Sequence, residues 1–335
     1  MRLLRAWLSR SPIWCAWQVN YKCNFRCAFC HYWNDPAGQL PEQTVADFRR
    51  GAGKLARLGS LLVNIAGGEP LLRPDIVDIV AVLANAHLPL LTTNGWLVTP
   101  QLARDLFEAG LWGVSVSIDY ASAERHDRQR GMPGAFDRAV AAIDHFRKAR
   151  KFDWQRVNLM AVLLHDNLDQ LEPLAKLAAQ HDAFFMVQPY SQRKTGSVRF
   201  FNHEGHLAEF LLDLKARTPN MLSNPYFLSR FDAAFNGGVP GCRAGWSFFN
   251  IDSTGDVSIC VEERTNPVGN LHRDDMSTLV HRLRDRARHN ACQDCWYNCR
   301  GEIESLYRPS GLIRSLPMML FDRGRAPGQT TVPLR

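Results

Sequence analysis

The sequence predicts an α/β protein, a partial (βα)6 barrel followed by a small C-terminal α+β domain. Three observations predict it. From residue 13 to about 200, short apolar stretches alternate with amphipathic helical stretches in units of roughly thirty residues, the pattern of a parallel sheet covered by helices. Six such units, rather than eight, leave the barrel open on one side. Beyond residue 200 the alternation breaks, and five cysteines gather around a segment that reads as a hairpin.

In chain order, residues 13–19 form the first strand, rich in aromatic and apolar side chains. Pro41 opens a helix over 42–58, closed by Gly59. Strands at 61–65, 88–92, 113–118, 156–164 and 184–188 are interleaved with helices at 75–86, 102–109, 135–148 and 168–180, and Gly110 stops the helix before it. A basic loop, Gln192 to Ser197, leads into a helical stretch at 204–216. The hairpin pairs 246–251 with 257–261 around Asp252-Ser253-Thr254-Gly255-Asp256, and a helix over 277–288 follows. The expected organisation is a basic segment at 1–12, the barrel at 13–200, a helical bridge at 201–240, the small domain at 241–322 and a poorly ordered tail at 323–335.

At 335 residues, 46% hydrophobic and 22% charged, the chain is globular and long enough for one large domain and a smaller one. Its net charge of +7 is scattered rather than gathered into a basic and aromatic groove, which argues against nucleic acid. Eight of nine cysteines fall into two groups more than two hundred residues apart, a distribution that suits metal sites in a reducing cytoplasm; Cys15 stands apart and reads as a core residue. Arg5 and Arg10 interrupt any signal-peptide core, and no run of eighteen apolar residues occurs. Leu3, Leu4, Trp7 and Leu8 would lie on one helical face opposite arginines, so the start of the chain either packs on protein, the favoured reading, or touches a membrane surface.

The chemistry concentrates in Cys23, Cys27 and Cys30, spaced C-x3-C-x2-C in one short loop. Three thiolates can hold a cubane iron–sulfur cluster and leave one iron without a protein ligand, where a small molecule can be bound and activated. Zinc wants four closed ligands, which His31 would have to complete, and disulfides fail on parity. Downstream, Gly67-Gly68-Glu69-Pro70 follows the second strand, and its glycines allow a close backbone approach to a ligand.

The cysteine triplet with Phe29 before its last member resembles the signature of the radical S-adenosylmethionine (radical SAM) enzymes. Ala66-Gly67-Gly68-Glu69-Pro70, Thr93-Asn94-Gly95 and Ser115-Val116-Ser117-Ile118-Asp119 resemble later segments of that family, in the same order. The resemblance implies a [4Fe-4S] cluster on Cys23, Cys27 and Cys30 that reductively cleaves SAM to a 5′-deoxyadenosyl radical, which abstracts hydrogen from a substrate. It implies further that Glu69 holds the SAM ammonium beside Gly67 and Gly68, that Ser117 and Asp119 lie near the ribose and methionine portions, and that Phe29 lies by the adenine. Asn94 either lines the cavity or serves its turn. An external reductant such as flavodoxin or ferredoxin is implied as well.

Cys242-x12-Gly255-x4-Cys260 with Cys292-x2-Cys295-x3-Cys299 resembles the SPASM and twitch extensions of these enzymes, which carry auxiliary iron–sulfur clusters. Five cysteines suffice for one auxiliary cluster, which makes the shorter twitch the better match; a four-cysteine zinc site is the alternative. The expected substrate is a peptide or small biosynthetic intermediate that is oxidised or cross-linked. Arg193-Lys194 and the N-terminal segment leave room for a lipid or anionic metabolite. An iron–sulfur electron-transfer or binding protein is the reading from another class, and the missing fourth ligand of the first triplet argues against it.

Overall fold

The computed structural model describes residues 11–59, 61–202 and 205–307. Residues 1–10 of the expected N-terminal segment, residues 308–322 and the tail at 323–335 lie outside the described residues. One nine-stranded sheet forms the body, in the order β6-β5-β4-β3-β2-β1-β7-β8-β9. Its strands are β1 Trp14–Asn20, β2 Leu62–Gly67, β3 Leu88–Thr93, β4 Gly113–Ser117, β5 Arg156–Leu163, β6 Phe184–Pro189, β7 Phe248–Ile251, β8 Asp256–Ser258 and β9 Gly269–Asn270. Neighbours among β1 to β6 are all parallel, and the sheet does not close.

Side chains alternate along each strand. Cys15, Trp17, Val19, Val63, Ile65, Val114 and Val116 are buried beneath the helices, with Cys15 a core residue as expected. The alternate set is smaller and more polar: Thr92 donates to Asn64 at 3.1 Å and Asn158 to Ser115 at 3.2 Å. One face therefore supplies the core, and the other presents neutral hydrogen-bonding groups.

The helices are α1 Val45–Leu55, α2 Ile76–Ala84, α3 Pro100–Glu108, α4 Ala123–Arg130, α5 Ala135–Ala149, α6 Leu171–Gln180, α7 Leu207–Arg217, α8 Pro225–Leu228, α9 Phe231–Phe235, α10 Met276–Arg288 and α11 Asn298–Ser305. The first starts three residues later than the sequence predicts. Thr44 accepts the Asp47 amide at 3.3 Å while Asp47 accepts the Thr44 amide at 2.8 Å, a reciprocal cap that outweighs Pro41 as the start signal. Helix α4 is not predicted at all, because Ala-Glu-Arg-His-Asp-Arg-Gln-Arg has no apolar stripe. Its Ser122 cap and the left-handed Gly131 that closes it were the available signals.

The expected hairpin is present but shorter, and it is not set apart from the barrel. β7 runs parallel to β1, with Trp14 opposite Phe248 and Trp17 opposite Ile251, so the second domain continues the first domain's sheet. At this seam Trp17 packs on Phe48 with ring centroids 4.8 Å apart. A Cβ on Gly51 would lie 2.6 Å from the Trp17 ring and 2.7 Å from Leu271, whereas one on Gly53 would meet nothing within 4 Å. Both glycines lie in α1. Gly51→Ala should therefore destabilise by about 1–3 kcal/mol through overpacking, and Gly53→Ala should stabilise by about 0.5–1 kcal/mol through helix propensity. Chemical denaturation of the two variants checks this, and equal shifts would remove the seam from the account.

Candidate active site

β1 delivers the chain through Asn20 and Tyr21 into the cysteine loop, and three contacts hold that loop in place. Phe25 is buried edge-on against Trp96, centroids 5.8 Å apart. The Ala28 amide donates to the Gln129 carbonyl at 3.1 Å, and Asn94 Nδ2 donates to Asn24 Oδ1 at 2.9 Å. Asn94 Oδ1 meanwhile accepts the Trp96 amide at 3.0 Å, so Asn94 serves both its turn and the cysteine loop.

Cys23, Cys27 and Cys30 act electrostatically on one another. Burial pushes the Cys23 thiol up to about 11 against the Phe25 amide, and the Cys27 thiol up to about 12 against the Arg130 guanidinium. A thiol kept neutral by burial gives up its proton readily only when positive charge replaces it, and an iron core bound to the sulfurs supplies that charge. The residues present fit the cluster.

Gly67 and Gly68 make a close approach to the chain itself. A Cβ on Gly67, at φ 140°, would lie 2.2 Å from the Asn20 carbonyl, and one on Gly68 would lie 2.0 Å from that of Lys22. Gly68 donates to Asn20 Oδ1 at 3.2 Å, and Glu69 donates its amide to the Lys22 carbonyl at 2.8 Å. The motif thus clamps the entry to the cysteine loop. Glu69 itself is buried, and its Oε1 accepts from the Leu71 amide at 3.0 Å and from the Thr93 hydroxyl at 2.8 Å. Its Oε2 accepts the Asn94 amide at 2.8 Å. Desolvation pushes its carboxyl up to about 7 against these bonds.

Asp119, just past the end of β4, has protein partners on both carboxylate oxygens. Its Oδ2 accepts from Arg130 Nε at 2.7 Å, with Nη2 also at 2.7 Å, and its Oδ1 accepts from the Val162 amide at 2.9 Å. The carboxylate is fully buried and pairs with Arg130. Arg130 lies over the Phe29 ring, 5.2 Å from its centroid, and near Cys27 and Cys30. His126 is held neutral by burial, and its Nδ1 accepts the Asp119 amide at 3.2 Å. Arg130 was not legible as a site residue, since it ends the unpredicted α4. Ser117 is half-buried on the polar face, and its hydroxyl has no hydrogen-bond partner among the described residues.

The second group of cysteines is also brought together. Cys242, Cys260, Cys292, Cys295 and Cys299 all line one cavity, with Ala244, Phe248 and Ile259 among its walls. Burial raises Cys242, Cys260 and Cys299, the last two to about 12. The fully buried Arg300 ties the walls together: Nη1 donates to the Cys295 carbonyl at 2.6 Å, and Nη2 donates to that of Val239. Among the described residues, no three His, Cys, Asp or Glu side chains are arranged to hold a single metal ion. No helix among them is long and apolar enough to cross a membrane.

Residues 17–178 match the model of the radical SAM superfamily, and residues 242–296 match that of an iron–sulfur cluster-binding domain, SPASM. The AdoMet-dependent heme synthase of Methanosarcina barkeri is 30% identical over 275 residues, 76% of this chain and 78% of that protein. The mycofactocin maturase MftC of Mycolicibacterium smegmatis is 29% identical over 313 residues, 87% of this chain and 78% of that protein. In fold, Streptococcus suis SuiB, solved with its precursor peptide SuiA, aligns with a TM-score of 0.63 at 19% identity over 79% of this chain and 63% of SuiB. The chain therefore spans less than two thirds of SuiB's length. Native anSMEcpe with bound AdoMet aligns with a TM-score of 0.62 at 17% identity, over 92% of this chain and 98% of that one.

Glu69 has a consequence for stability. Its folded carboxyl, near 7 against an ordinary 4.5, binds a proton more tightly than the unfolded group does, so stability falls as pH rises from about 4.5 to 7. Glu302, also pushed up to about 7 by burial, adds to the same window. Glu69→Gln should make that slope shallower without abolishing it, and should lower the melting temperature near pH 5, where the wild-type carboxyl is protonated, because one backbone amide loses its acceptor. Thermal melts between pH 5 and 8 check both effects; an unchanged slope would contradict the burial argument.

Proposed function

Because the chain belongs to the radical SAM superfamily and carries an iron–sulfur cluster-binding extension, we propose that it is a maturase that oxidises or cross-links a peptide. It is an enzyme that uses S-adenosylmethionine, a [4Fe-4S] cluster and an auxiliary iron–sulfur cluster. The observation that carries the two-cluster reading is the single cavity lined by all five C-terminal cysteines, separate from the Cys23, Cys27 and Cys30 triplet. When bound, the first cluster supplies the electron that cleaves SAM to methionine and a 5′-deoxyadenosyl radical, which takes hydrogen from the substrate.

The chain's own residues prepare that event. Cys23, Cys27 and Cys30 hold the cluster. Glu69 accepts three protein hydrogen bonds of the roughly four a carboxylate can take, which leaves a position for the SAM ammonium. Arg130 spends Nε and Nη2 on Asp119 and lies over the Phe29 ring, and Ser117 is half-buried at the end of β4. Asp119 is a positioning residue, since it orients the guanidinium. Phe29 lies by the adenine, while Gly67, Gly68 and Asn94 shape the wall.

In the second site, Cys295 and Cys299 act electrostatically on each other and on Cys242 and Cys260. These four are the proposed ligands, with Cys292 spare. The peptide reading draws support from the similarity to a mycofactocin maturase over most of the chain. A small biosynthetic intermediate is the second reading, and the similarity to a heme synthase favours it. A lipid or anionic metabolite loses its basis in the basic loop: Arg193 donates to Glu263 at 2.7 Å and lies 3.7 Å from Asp294, and Lys194 pairs with Glu262 at 3.1 Å. A cytoplasmic setting with flavodoxin or ferredoxin as reductant completes the proposal.

Anaerobically reconstituted protein should hold about eight irons, as two four-iron clusters. Cys292→Ala should keep all of them, whereas Cys299→Ala should lose about half. Iron analysis decides, and zinc in the second site or loss of iron in Cys292→Ala would revise the ligand set.

The two cysteine groups should also separate by role. Cys27→Ala should abolish SAM cleavage even with the second site loaded. Cys260→Ala should still cleave SAM while yielding little modified product, provided thermal melting shows that the domain has folded. Product formed at the wild-type rate by a folded Cys260→Ala protein would make the second cluster structural only.

A further inference from the structure

Lys194, in the loop after β6, joins the two cysteine sites through residues that share one relation to them. Its Nζ lies 3.1 Å from the Tyr32 hydroxyl and 3.1 Å from Glu262 Oε1. It also lies 4.4 Å from the Tyr32 ring centroid and 5.5 Å from that of Tyr297. The Tyr297 hydroxyl closes the network by donating to Glu262 Oε1 at 2.9 Å. Each partner follows a cysteine by two residues: Tyr32 follows Cys30, Glu262 follows Cys260, and Tyr297 follows Cys295. The ammonium acts electrostatically on Cys30 on one side and on Cys299 on the other.

The pair is enclosed, with the Lys194 side chain 23% exposed and that of Glu262 13%. Charges in such a setting are screened less than surface charges and act over longer distances. A fixed charge near an iron–sulfur cluster shifts its reduction potential, since reduction adds negative charge that a cation stabilises and an anion opposes.

We propose that Lys194 is a shared positioning residue of both cluster sites, and that its ammonium, opposed by Glu262, sets the reduction potentials of the two clusters together. The inference rests on the two-cluster reading above. It requires no new contact with substrate, because Tyr32, Glu262 and Tyr297 already carry the connection to each cysteine segment. The two charges make opposite demands, which a purely structural role would not.

The experiment uses full-length protein reconstituted anaerobically, with iron counted first and both midpoint potentials then followed by EPR-monitored redox titration. Lys194→Met should lower both potentials and Glu262→Gln should raise both, while Lys194→Arg, which keeps the charge, should stay near wild type. Gln at 262 can still accept from Lys194 and Tyr297, so that variant tests charge with the geometry kept, even where Lys194→Met binds iron poorly. Shifts of the same sign in Lys194→Met and Glu262→Gln, or a response from one cluster only, would overturn the proposal. Eight irons with unmoved potentials would overturn it alone, whereas four irons in wild-type protein would overturn the two-cluster reading with it.

Discussion

The parallel pairing of β7 with β1 is the constraint on which the two-site arrangement depends. β1 carries the cysteine loop at its end, and the pairing makes it an interior strand with hydrogen-bonded neighbours on both sides. Such a strand cannot slip by one residue without turning Trp17 out of the core and breaking two ladders. Side chains reinforce the seam: Gln18 donates to Asn250 at 3.1 Å, Gln43 to the Asp252 carbonyl at 2.9 Å, and Lys54 to the carbonyls of Leu271, His272 and Asp274. The second cysteine group is thereby built onto the same sheet as the first. A site held by rigid elements keeps its reacting groups in register better than one carried on a linker.

The fold was legible wherever local pattern determines structure. The six parallel strands appear within a few residues of where apolar stretches place them, because the face each turns to the helices has to be apolar. The site was legible in its cysteines, whose spacing is itself the chemical requirement. Long-range pairing was less accessible. Sequence shows that Gly67-Gly68 allows a close approach but not that the chain at Asn20 and Lys22 makes one. Sequence places Asp119 near the cofactor but does not show its pairing with Arg130, because Arg130 ends a helix with no apolar stripe to reveal it. Lys194 reads as part of a basic loop with room for an anionic substrate until the fold brings Glu262 and Tyr32 to it from segments 68 and 162 residues away.

Both cysteine groups follow one electrostatic logic. Burial pushes up the Cys23 and Cys27 thiols in one group and the Cys242, Cys260, Cys295 and Cys299 thiols in the other, and each group has an arginine beside it that opposes the shift, Arg130 at Cys27 and Arg300 at Cys242. Guanidinium keeps its charge at every relevant pH, so the counter-charge is constant where a histidine would titrate away. The two arginines are held differently. Asp119 orients Arg130 and largely cancels its charge, which leaves it suited to directional hydrogen bonding. Arg300 is held by the Cys295 and Val239 carbonyls, with Glu304 3.5 Å from its Nε, so less of its charge is spent on its tethers. Without metal, burial favours neutral thiols, and Arg300 has less counter-charge beside it than Arg130. With thiolates on an iron core, a net negative cluster meets a cation already in place. The cysteine sites are therefore organised for a charge the protein has to acquire, which couples metal binding to the stability of both halves.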